Sequence, residues 1–380
     1  MAEAFDPQAL LLPGVEVIEN AVVVPWGPER KRGIARPAGV FYPDGTLCDA
    51  ATCLRSFGRP TTLPTGFPDA SEIAETIPGT HLFAGLAYGH FGHALCESLG
   101  RLWYLDQPNV QIAGLYFFPK AKKSRPRNAL SGVLPLLKAL KVRKPPMASN
   151  TPLRFERLVV PPQGFGVHEM IAGAPEFRAF VRNRLKAGTA TGAGRKIYIS
   201  RSRLYSKRGR ILQEQLIEER LVAEGYEIFH PQAHDITEQL ATYRAADSII
   251  STDNSALHLA AFVMPKGARV ALLIRRPGDI YKDFVLQLSR FAETEPVIVD
   301  CGTNYWALEA ERVSFNEVYT GVDFPAMGRA LAEAGFIKNG AWPEADARVV
   351  EDQIAGYAQG LGGPVVEVFP PARLLKGGSA

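Results

Sequence analysis

The sequence predicts an α/β protein of two doubly wound, Rossmann-like domains that face a central cleft. Short apolar runs alternate with helical stretches from about residue 80, a pattern typical of parallel sheets covered by helices. The alternation stops at TATGAG, residues 189–194, and then begins again. With 380 residues, the chain is long enough for two domains. Ligands of such sheets bind beyond the carboxyl ends of the strands, so the cleft is the expected site.

The first domain is predicted to span residues 1–188. Residues 15–80 indicate strands and turns, with GRPTTLPTGFP as a loop rich in proline and glycine. Strands and helices then alternate: strands over HLFAGL, VQIAGLYFF and RFERLVVP, and helices over GHFGHALCESLGRLWYL, about 128–141, and APEFRAFVRNRLKAG.

The second domain is predicted to follow the linker 189–194 and to span residues 195–325. Five short apolar runs separated by four helical segments indicate a second doubly wound sheet. The strands are KIYIS, YEIFH, DSIIS, RVALLI and PVIVD, and the helices are LQEQLIEERLVAEG, ITEQLATYRAA, SALHLAAFV and YKDFVLQLSRFA. Residues 326–380 form a C-terminal segment that contains one more helix and a tail.

Composition is that of an ordinary soluble globular protein. Hydrophobic residues make up 46% of the chain and charged residues 22%. The formal net charge is +4, from 43 Lys and Arg against 39 Asp and Glu, which gives little support to nucleic-acid binding. The four cysteines lack metal-binding spacing, so a reducing compartment is expected.

The termini favour a cytoplasmic protein. The segment MAEAFDPQALLLPG has acidic residues and no basic n-region, unlike a signal peptide. No apolar run approaches the roughly 18 residues of a membrane span. Two interpretations of the tail PPARLLKGGSA stay open: peripheral contact with the inner face of a membrane, or fraying.

A basic loop follows the first strand of the second domain. Arginine presents a planar set of donors that matches phosphate oxygens, and loops after strands lie where ligands bind. The loop therefore predicts a diphosphate site, although a solvated basic loop is the plain alternative. Its candidate phosphate ligands are Arg201, Arg203, Lys207 and Arg210.

Two polar turns accompany this loop. In STDNSALHLAAF, Asp253 and Asn254 precede a helix that begins at Ser255, so the N–H groups of that helix would point at a bound anion. Either Asp253 or Asn254 could simply cap the helix. In HDITEQL, Glu238 lies three residues after Asp235, which indicates reciprocal helix capping, with ribose binding by Glu238 as an alternative. The RRPGD turn, 275–279, is a further candidate for sugar or base contacts.

The first predicted helix of the first domain carries a polar face. At about 100° per residue, this face gathers His90, His93, Glu97 and Arg101. A carboxylate four residues after a histidine can orient the imidazole and raise its basicity, so His93 and Glu97 form a candidate acid/base pair. Two alternatives remain: HxxHxxxE supplies three metal ligands, although no second cluster completes a site, and a surface helix could carry the same residues.

Several motifs are absent from the sequence. There is no GxxxxGK[ST], no GxGxxG after a strand, no GxSxG and no Asp-x-Asp. A metal-dependent nucleotide-sugar transferase of the other main fold type is therefore disfavoured. Arginines, lysines and helix dipoles would have to meet the phosphate charge.

Together these motifs resemble glycosyltransferase family 61, especially its bacterial members associated with capsule and other surface polysaccharides. The resemblance covers roughly residues 80–300 and rests on the His/Glu helix, the strand followed by SRS, the EQL helix and the turn-helix before FVMP. It implies a GT-B architecture, an acceptor on the first domain, a nucleotide-sugar donor on the second, inversion at the anomeric carbon, and no cofactor or catalytic metal. It also suggests that the helix FPAMGRALAEAGF crosses back onto the first domain.

The chain departs from the family pattern in two places. Where many members have His-Gly-Ala, this chain has Asp253, Asn254 and Ser255, and the Asn often found after the basic loop is Gln213. The identity of the donor sugar therefore does not carry over. The fold expectation does, because the helix N-terminus is retained.

The resulting expectation is an inverting glycosyltransferase that moves a sugar from a nucleotide-diphosphate donor to an oligo- or polysaccharide, free or lipid-linked, in bacterial glycan assembly. His93 is the expected general base, with Glu97 orienting it or replacing it. His90 and Arg101 would contact the acceptor or the sugar. The alternatives are a non-catalytic nucleotide-sugar-binding protein and a His/Glu metal hydrolase.

Overall fold

The computed structural model describes residues 14–27, 35–108, 111–120, 126–188, 194–204 and 208–368. The chain divides into two compact units, Met1–Lys186 and Ala187–Ala380. This boundary lies beside the predicted linker 189–194, of which Gly194 is described.

The first unit is built on a mixed sheet of six strands in the order β3-β1-β10-β7-β8-β9. Its strands are β1 (Glu16–Val24), β2 (Arg36–Pro37), β3 (Gly39–Phe41), β4 (Leu54–Ser56), β5 (Arg59–Pro60), β6 (Thr62–Leu63), β7 (Thr76–Tyr88), β8 (Gly114–Lys120), β9 (Pro146–Met147) and β10 (Leu153–Val160). Its α-helices are α1 (Phe91–Glu97), α2 (Leu134–Ala139) and α3 (Pro175–Arg184). Short 3₁₀ helices lie at Asp49–Ala51, Ala70–Glu72, Leu102–Asp106, Pro126–Gly132 and His168–Ala172.

The long strand β7 organises this sheet. It pairs in parallel with β8 on one side and with β10 on the other, and β9 extends the parallel part beyond β8. Because β8 and β9 follow β7 on one side and β10 returns on the other, the strand order switches between β7 and β10. The N-terminal strand β1 runs antiparallel to β10, so this sheet is mixed rather than purely doubly wound.

The second unit contains a parallel sheet of five strands in the order β12-β11-β13-β14-β15. Its strands are β11 (Lys196–Ile199), β12 (Glu227–Phe229), β13 (Ser248–Thr252), β14 (Arg269–Leu273) and β15 (Val297–Val299). The intervening helices are α4 (Glu214–Ala223), α5 (Ile236–Arg244), α6 (Ser255–Val263) and α7 (Tyr281–Phe291). All five strands and four helices predicted from the sequence are present, and the strand order switches between β11 and β13.

The C-terminal segment belongs to the second unit. Helix α8 (Phe324–Glu333) buries Phe324, Met327 and Leu331 in the same hydrophobic core as Tyr198 and Ile250 of the parallel sheet. This corrects the expectation that the helix crosses back onto the first domain: its apolar face is used within its own unit.

The sequence did not predict the remaining C-terminal elements. Strands β16 (Gly302–Leu308), β17 (Tyr319–Val322) and β18 (Val365–Glu367) form a small antiparallel sheet, and helix α9 (Ala347–Leu361) packs beside it. Two further 3₁₀ helices lie at Pro231–Ala233 and Phe315–Glu317. Over the described ranges, none of the helices combines the length and hydrophobicity that crossing a membrane requires.

Candidate active site

In the first unit, the candidate acid/base pair lies where the strand order switches. Helix α1 begins at Phe91, directly after β7, and His90 takes the extended backbone of its N-cap. The helix ends at Glu97 and a 3₁₀ helix follows at Leu102, so the single helix predicted over these residues is interrupted. A Cβ atom at Gly100 would lie 2.7 Å from the Phe165 carbonyl oxygen, so glycine is needed for the close approach of the two chain segments at this point.

His93 and Glu97 are in contact, as the four-residue spacing predicted. His93 Nδ1 lies 2.6 Å from Glu97 Oε1, and the Tyr88 hydroxyl donates to Glu97 Oε2 at 3.0 Å. The Tyr88 ring also stacks on the His93 ring, with centroids 5.2 Å apart. Tyr88 therefore touches both members of the pair. Sequence reasoning missed this residue, and its place at the end of β7 was the signal that could have indicated it.

The surroundings keep Glu97 ionised. Burial raises the pKa of Glu97, but the hydrogen bond and charge of His93, the charge of Arg55 and the Tyr88 hydroxyl outweigh it and hold the pKa below its usual range. An ionised carboxylate only accepts hydrogen bonds, so Nδ1 of His93 carries a proton. The neutral imidazole then has its lone pair on Nε2. With 44% of the His93 side chain exposed against 3% for Glu97, His93 is the group that can take a proton from a ligand.

The other two residues of the predicted polar face separate from this pair. Arg101 is 1% exposed, and its guanidinium donates to the carbonyl oxygens of Thr52 and Pro161. This corrects the expectation that Arg101 contacts an acceptor, because its donors hold the backbone together. His90 is exposed beside the pair, with its ring centroid 5.5 Å from that of His93.

In the second unit, the carboxyl ends of three neighbouring parallel strands bring charged side chains together. Arg201 follows β11, Asp253 follows β13, and Arg275 and Arg276 follow β14. These strands are adjacent in the sheet, and the strand order switches between the first two. A ligand site is expected at this edge of a doubly wound sheet.

Arg201 is anchored by its backbone while part of its guanidinium stays unpaired. Its backbone N–H donates to Glu214 Oε1 at 2.7 Å, and Nη2 donates to the Gly209 carbonyl at 3.0 Å. Its buried Nε makes no hydrogen bond within the described part of the chain. Burial lowers the pKa of Arg201, and the charges of Glu214 and Asp253 oppose that effect.

Asp253 pairs with two arginines of the turn that follows β14. Its side chain is fully buried, with Oδ2 bound to Arg276 Nε and Oδ1 lying 3.4 Å from Arg275 Nε. Arg276 also donates to Asn316 Oδ1 at 2.6 Å. The RRPGD turn therefore contributes through ion pairs, which the sequence did not predict. Their position could have indicated a site, since both arginines follow a buried strand.

Three further residues of the basic loop were predicted to bind the phosphates of the donor. Arg210 is buried and donates to the carbonyl oxygens of Ser202 and Leu204, which shapes the basic loop. This corrects its predicted role as a direct phosphate ligand. Arg203 is exposed, and Lys207 lies outside the described residues.

Three of the predicted donor-binding residues lie at the N-termini of α5 and α6, where side chains cap the helices. Asn254 Oδ1 accepts from Ala256 N at 2.9 Å and caps α6, while Ser255 is the first helical residue and half-buried. Asp235 and Glu238 cap α5 reciprocally, at 2.9 and 3.1 Å, which confirms the predicted capping box. Glu238 is thus used by the backbone, as the structural interpretation had it.

Buried cations and carboxylates meet at this sheet edge. The guanidinium groups of Arg201, Arg275 and Arg276 share the region with the carboxylates of Asp253 and Glu214, and Arg201 Nε and Arg275 Nη1 make no hydrogen bond among the described residues. Burial raises the pKa of Glu214, although the Arg201 backbone N–H and Tyr198 oppose it. The arrangement can bind an anion, because buried cationic donors without a hydrogen bond favour one.

No group of three or more His, Cys, Asp or Glu side chains within the described ranges is placed to hold a metal ion. His90, His93 and Glu97 therefore do not form such a group.

Comparison with known proteins supports one activity. Residues 91–271 match the sequence model of the Glycosyltransferase 61 family, over just under half of the chain. The match begins at the first residue of α1 and ends within β14, so it contains His93, Glu97, Arg201 and Asp253. A search of curated proteins finds no significant match. The family match supports glycosyltransferase activity, which in general uses a nucleotide-sugar donor and a saccharide acceptor.

Proposed function

We propose that this protein is an inverting, metal-independent glycosyltransferase that moves a sugar from a nucleoside diphosphate to a saccharide hydroxyl. The observation that carries the proposal is the set of buried guanidinium donors of Arg201 and Arg275 that make no hydrogen bond among the described residues, at the switch in strand order of the second unit. The proposal includes a GT-B architecture, for which the parallel strands of each unit are the support. Its setting in bacterial capsule or surface-glycan synthesis rests on the resemblance to family 61, and its cytoplasmic location stays an expectation from the sequence.

The second unit would bind the donor diphosphate. Arg275 Nη1 and Arg201 Nε are buried donors without a hydrogen bond among the described residues. Phosphate oxygens accept hydrogen bonds from guanidinium groups in a fork geometry, so the diphosphate would use these donors. The N-terminus of α6 lies at the same sheet edge and adds its partial positive charge.

The first unit would supply the base. In the proposed step the acceptor oxygen forms a bond to the anomeric carbon, and the bond from that carbon to the diphosphate oxygen breaks. The diphosphate keeps the electron pair, and the hydroxyl proton passes to Nε2 of His93. Glu97 stabilises the resulting imidazolium, while the arginines stabilise the charge that develops on the leaving group.

Titration calorimetry with UDP, GDP, the matching monophosphates and the nucleosides tests the proposal, in the presence and absence of EDTA. Binding should require the diphosphate and should be unchanged by the chelator. Slow hydrolysis of a bound nucleotide sugar would identify an active centre, whereas diphosphate binding without turnover of any sugar donor would indicate a non-catalytic binder. Binding or turnover abolished by EDTA would contradict metal independence and favour a metal hydrolase.

A further inference from the structure

A second group of cations lies in the first unit beside the His93/Glu97 pair. Lys120, the last residue of β8, places Nζ 4.2 Å from the centroid of the Tyr88 ring and 5.6 Å from that of Trp26. The guanidinium of Arg36 also lies over the Trp26 ring, 4.4 Å from its centroid. Two aromatic side chains thus bring Lys120 and Arg36 to the edge where β7 and β8 end.

Arg55 is the third cation of this group and lies near Glu97. Its Nε lies 4.0 Å from Glu97 Oε2, and 30% of its side chain is exposed. Burial lowers the pKa of Lys120, the charges of Arg55 and Arg36 lower it further, and Glu97 opposes them. Within the described ranges Glu97 is the carboxylate that acts on Lys120.

Among the described residues, one carboxylate accompanies this cationic group. Three cations lie near Glu97, and that carboxylate already binds His93 and Tyr88. The Nε atoms of Arg36 and Arg55 are buried and make no hydrogen bond inside the described part of the chain. All three cationic side chains are half-buried, so they are partly accessible to a ligand. Cations brought together at such a cost in repulsion and desolvation are expected to meet an anion.

We propose that Lys120, Arg36 and Arg55 bind an anionic group of the acceptor, a carboxylate or a phosphate close to the hydroxyl that reacts. The inference rests on the proposed function and narrows its acceptor to acidic or phosphorylated saccharides.

The indole N–H of Trp26 gives a reporter for this site. It donates to the Thr61 carbonyl at 3.0 Å, and the chain has four tryptophans, so its ¹H–¹⁵N resonance can be assigned with Trp26→Phe. The probes are sodium glucuronate, glucose 6-phosphate and glucose, at ionic strength matched with sodium chloride. Glucuronate, glucose 6-phosphate or both should shift the Trp26 signal in a saturable way, and glucose should not. The two anionic probes distinguish carboxylate from phosphate.

Variants locate the effect. Lys120→Gln should weaken anion binding about tenfold, because a charge-assisted hydrogen bond is lost. Lys138→Gln makes the same charge change at an exposed position on α2 and should leave binding unchanged. Equal shifts with glucose and glucuronate, no shift with either anion, or undiminished binding in Lys120→Gln would overturn the inference. Binding is measured without turnover, so an acidic-ligand site can be established even if glycosyl transfer fails its own test.

Discussion

The two units each place a histidine on the helix that follows a strand at the switch in strand order, and they use it in opposite ways. The side chain of His93 on α1 is 44% exposed, and its partner is the carboxylate of Glu97. His258 on α6 binds the amide of Gln287, with Nδ1 2.5 Å from Oε1, and stacks on Phe284 with centroids 4.1 Å apart. Burial lowers the pKa of His258.

The difference teaches what makes a histidine a base in this fold. The buried carboxylate of Glu97 orients the partly exposed ring of His93 and leaves its Nε2 as the atom that would accept a proton. Burial lowers the pKa of His258 although its hydrogen bond to Gln287 opposes this, and the charge at its sheet edge comes from arginines instead. The proposed function accordingly places proton transfer in the first unit and anion binding in the second.

The largest expected effect is on turnover. His93→Ala removes the proposed base, so kcat should fall by about a thousandfold, within the usual range for general-base catalysis. The affinity for the donor should be unchanged, because the proposed donor site belongs to the other unit. Steady-state kinetics together with calorimetry on the nucleoside diphosphate measure the two quantities separately.

A matched change at Glu97 sharpens this comparison. Glu97→Gln keeps the hydrogen-bonding shape but loses the charge, so its kcat should lie between wild type and His93→Ala. A loss that appears only in KM for either variant would show that His93 positions a substrate and does not act as the base.

The next effect is on stability. Asp253→Asn leaves the buried guanidinium groups of Arg275 and Arg276 without their carboxylate, so the free energy of unfolding should fall by about 3–5 kcal/mol. Urea denaturation measures it. Glu227→Gln is the control, because its ion pair with Arg195 is solvent-exposed and should be worth about 0–1 kcal/mol. Equal losses in the two variants would contradict a buried charge network.

A smaller effect is expected from pH. The pKa of His258 in the folded protein lies below its ordinary value of 6.5, so the unfolded chain binds the proton first as pH falls. Stability from His258 is complete above pH 6.5 and declines below it, by at most about 1.4 kcal/mol per pH unit. Unfolding free energies of wild type and His258→Asn should therefore converge between pH 7 and about 5. Parallel curves would show that His258 titrates normally in the folded state.

Much of the second unit could be predicted from sequence. Its five strands are short, buried apolar runs, and the helices between them have clear starts such as the Asp235/Glu238 capping box. The antiparallel strands β16, β17 and β18 escaped prediction because their alternation is weak, and because β16 pairs with β18 across residues far apart in the chain, such as Trp306 and Glu367. In the first unit, the antiparallel β1 had no local signal for its direction.

In the candidate site, only contacts between residues close in sequence could be predicted. Contacts four residues apart, such as that between His93 and Glu97, follow from helix geometry. The role of Arg101 could not be inferred, since burial depends on Thr52 and Pro161, which are distant in sequence. The same holds for Asp253 and Arg276, whose pairing is set by the order of strands in the sheet.

The central claim is that unpaired guanidinium groups at the carboxyl edge of the second sheet bind a diphosphate. Arg201 and Arg195 flank the two ends of β11, and Arg195 forms an exposed pair with Glu227. Calorimetric titration of UDP and GDP into Arg201→Ala and Arg195→Ala compares these ends directly. We predict that Arg201→Ala weakens the diphosphate that binds wild type by at least about tenfold, while Arg195→Ala binds it as wild type does. Wild-type affinity in Arg201→Ala, or an equal loss in both variants, would contradict the account.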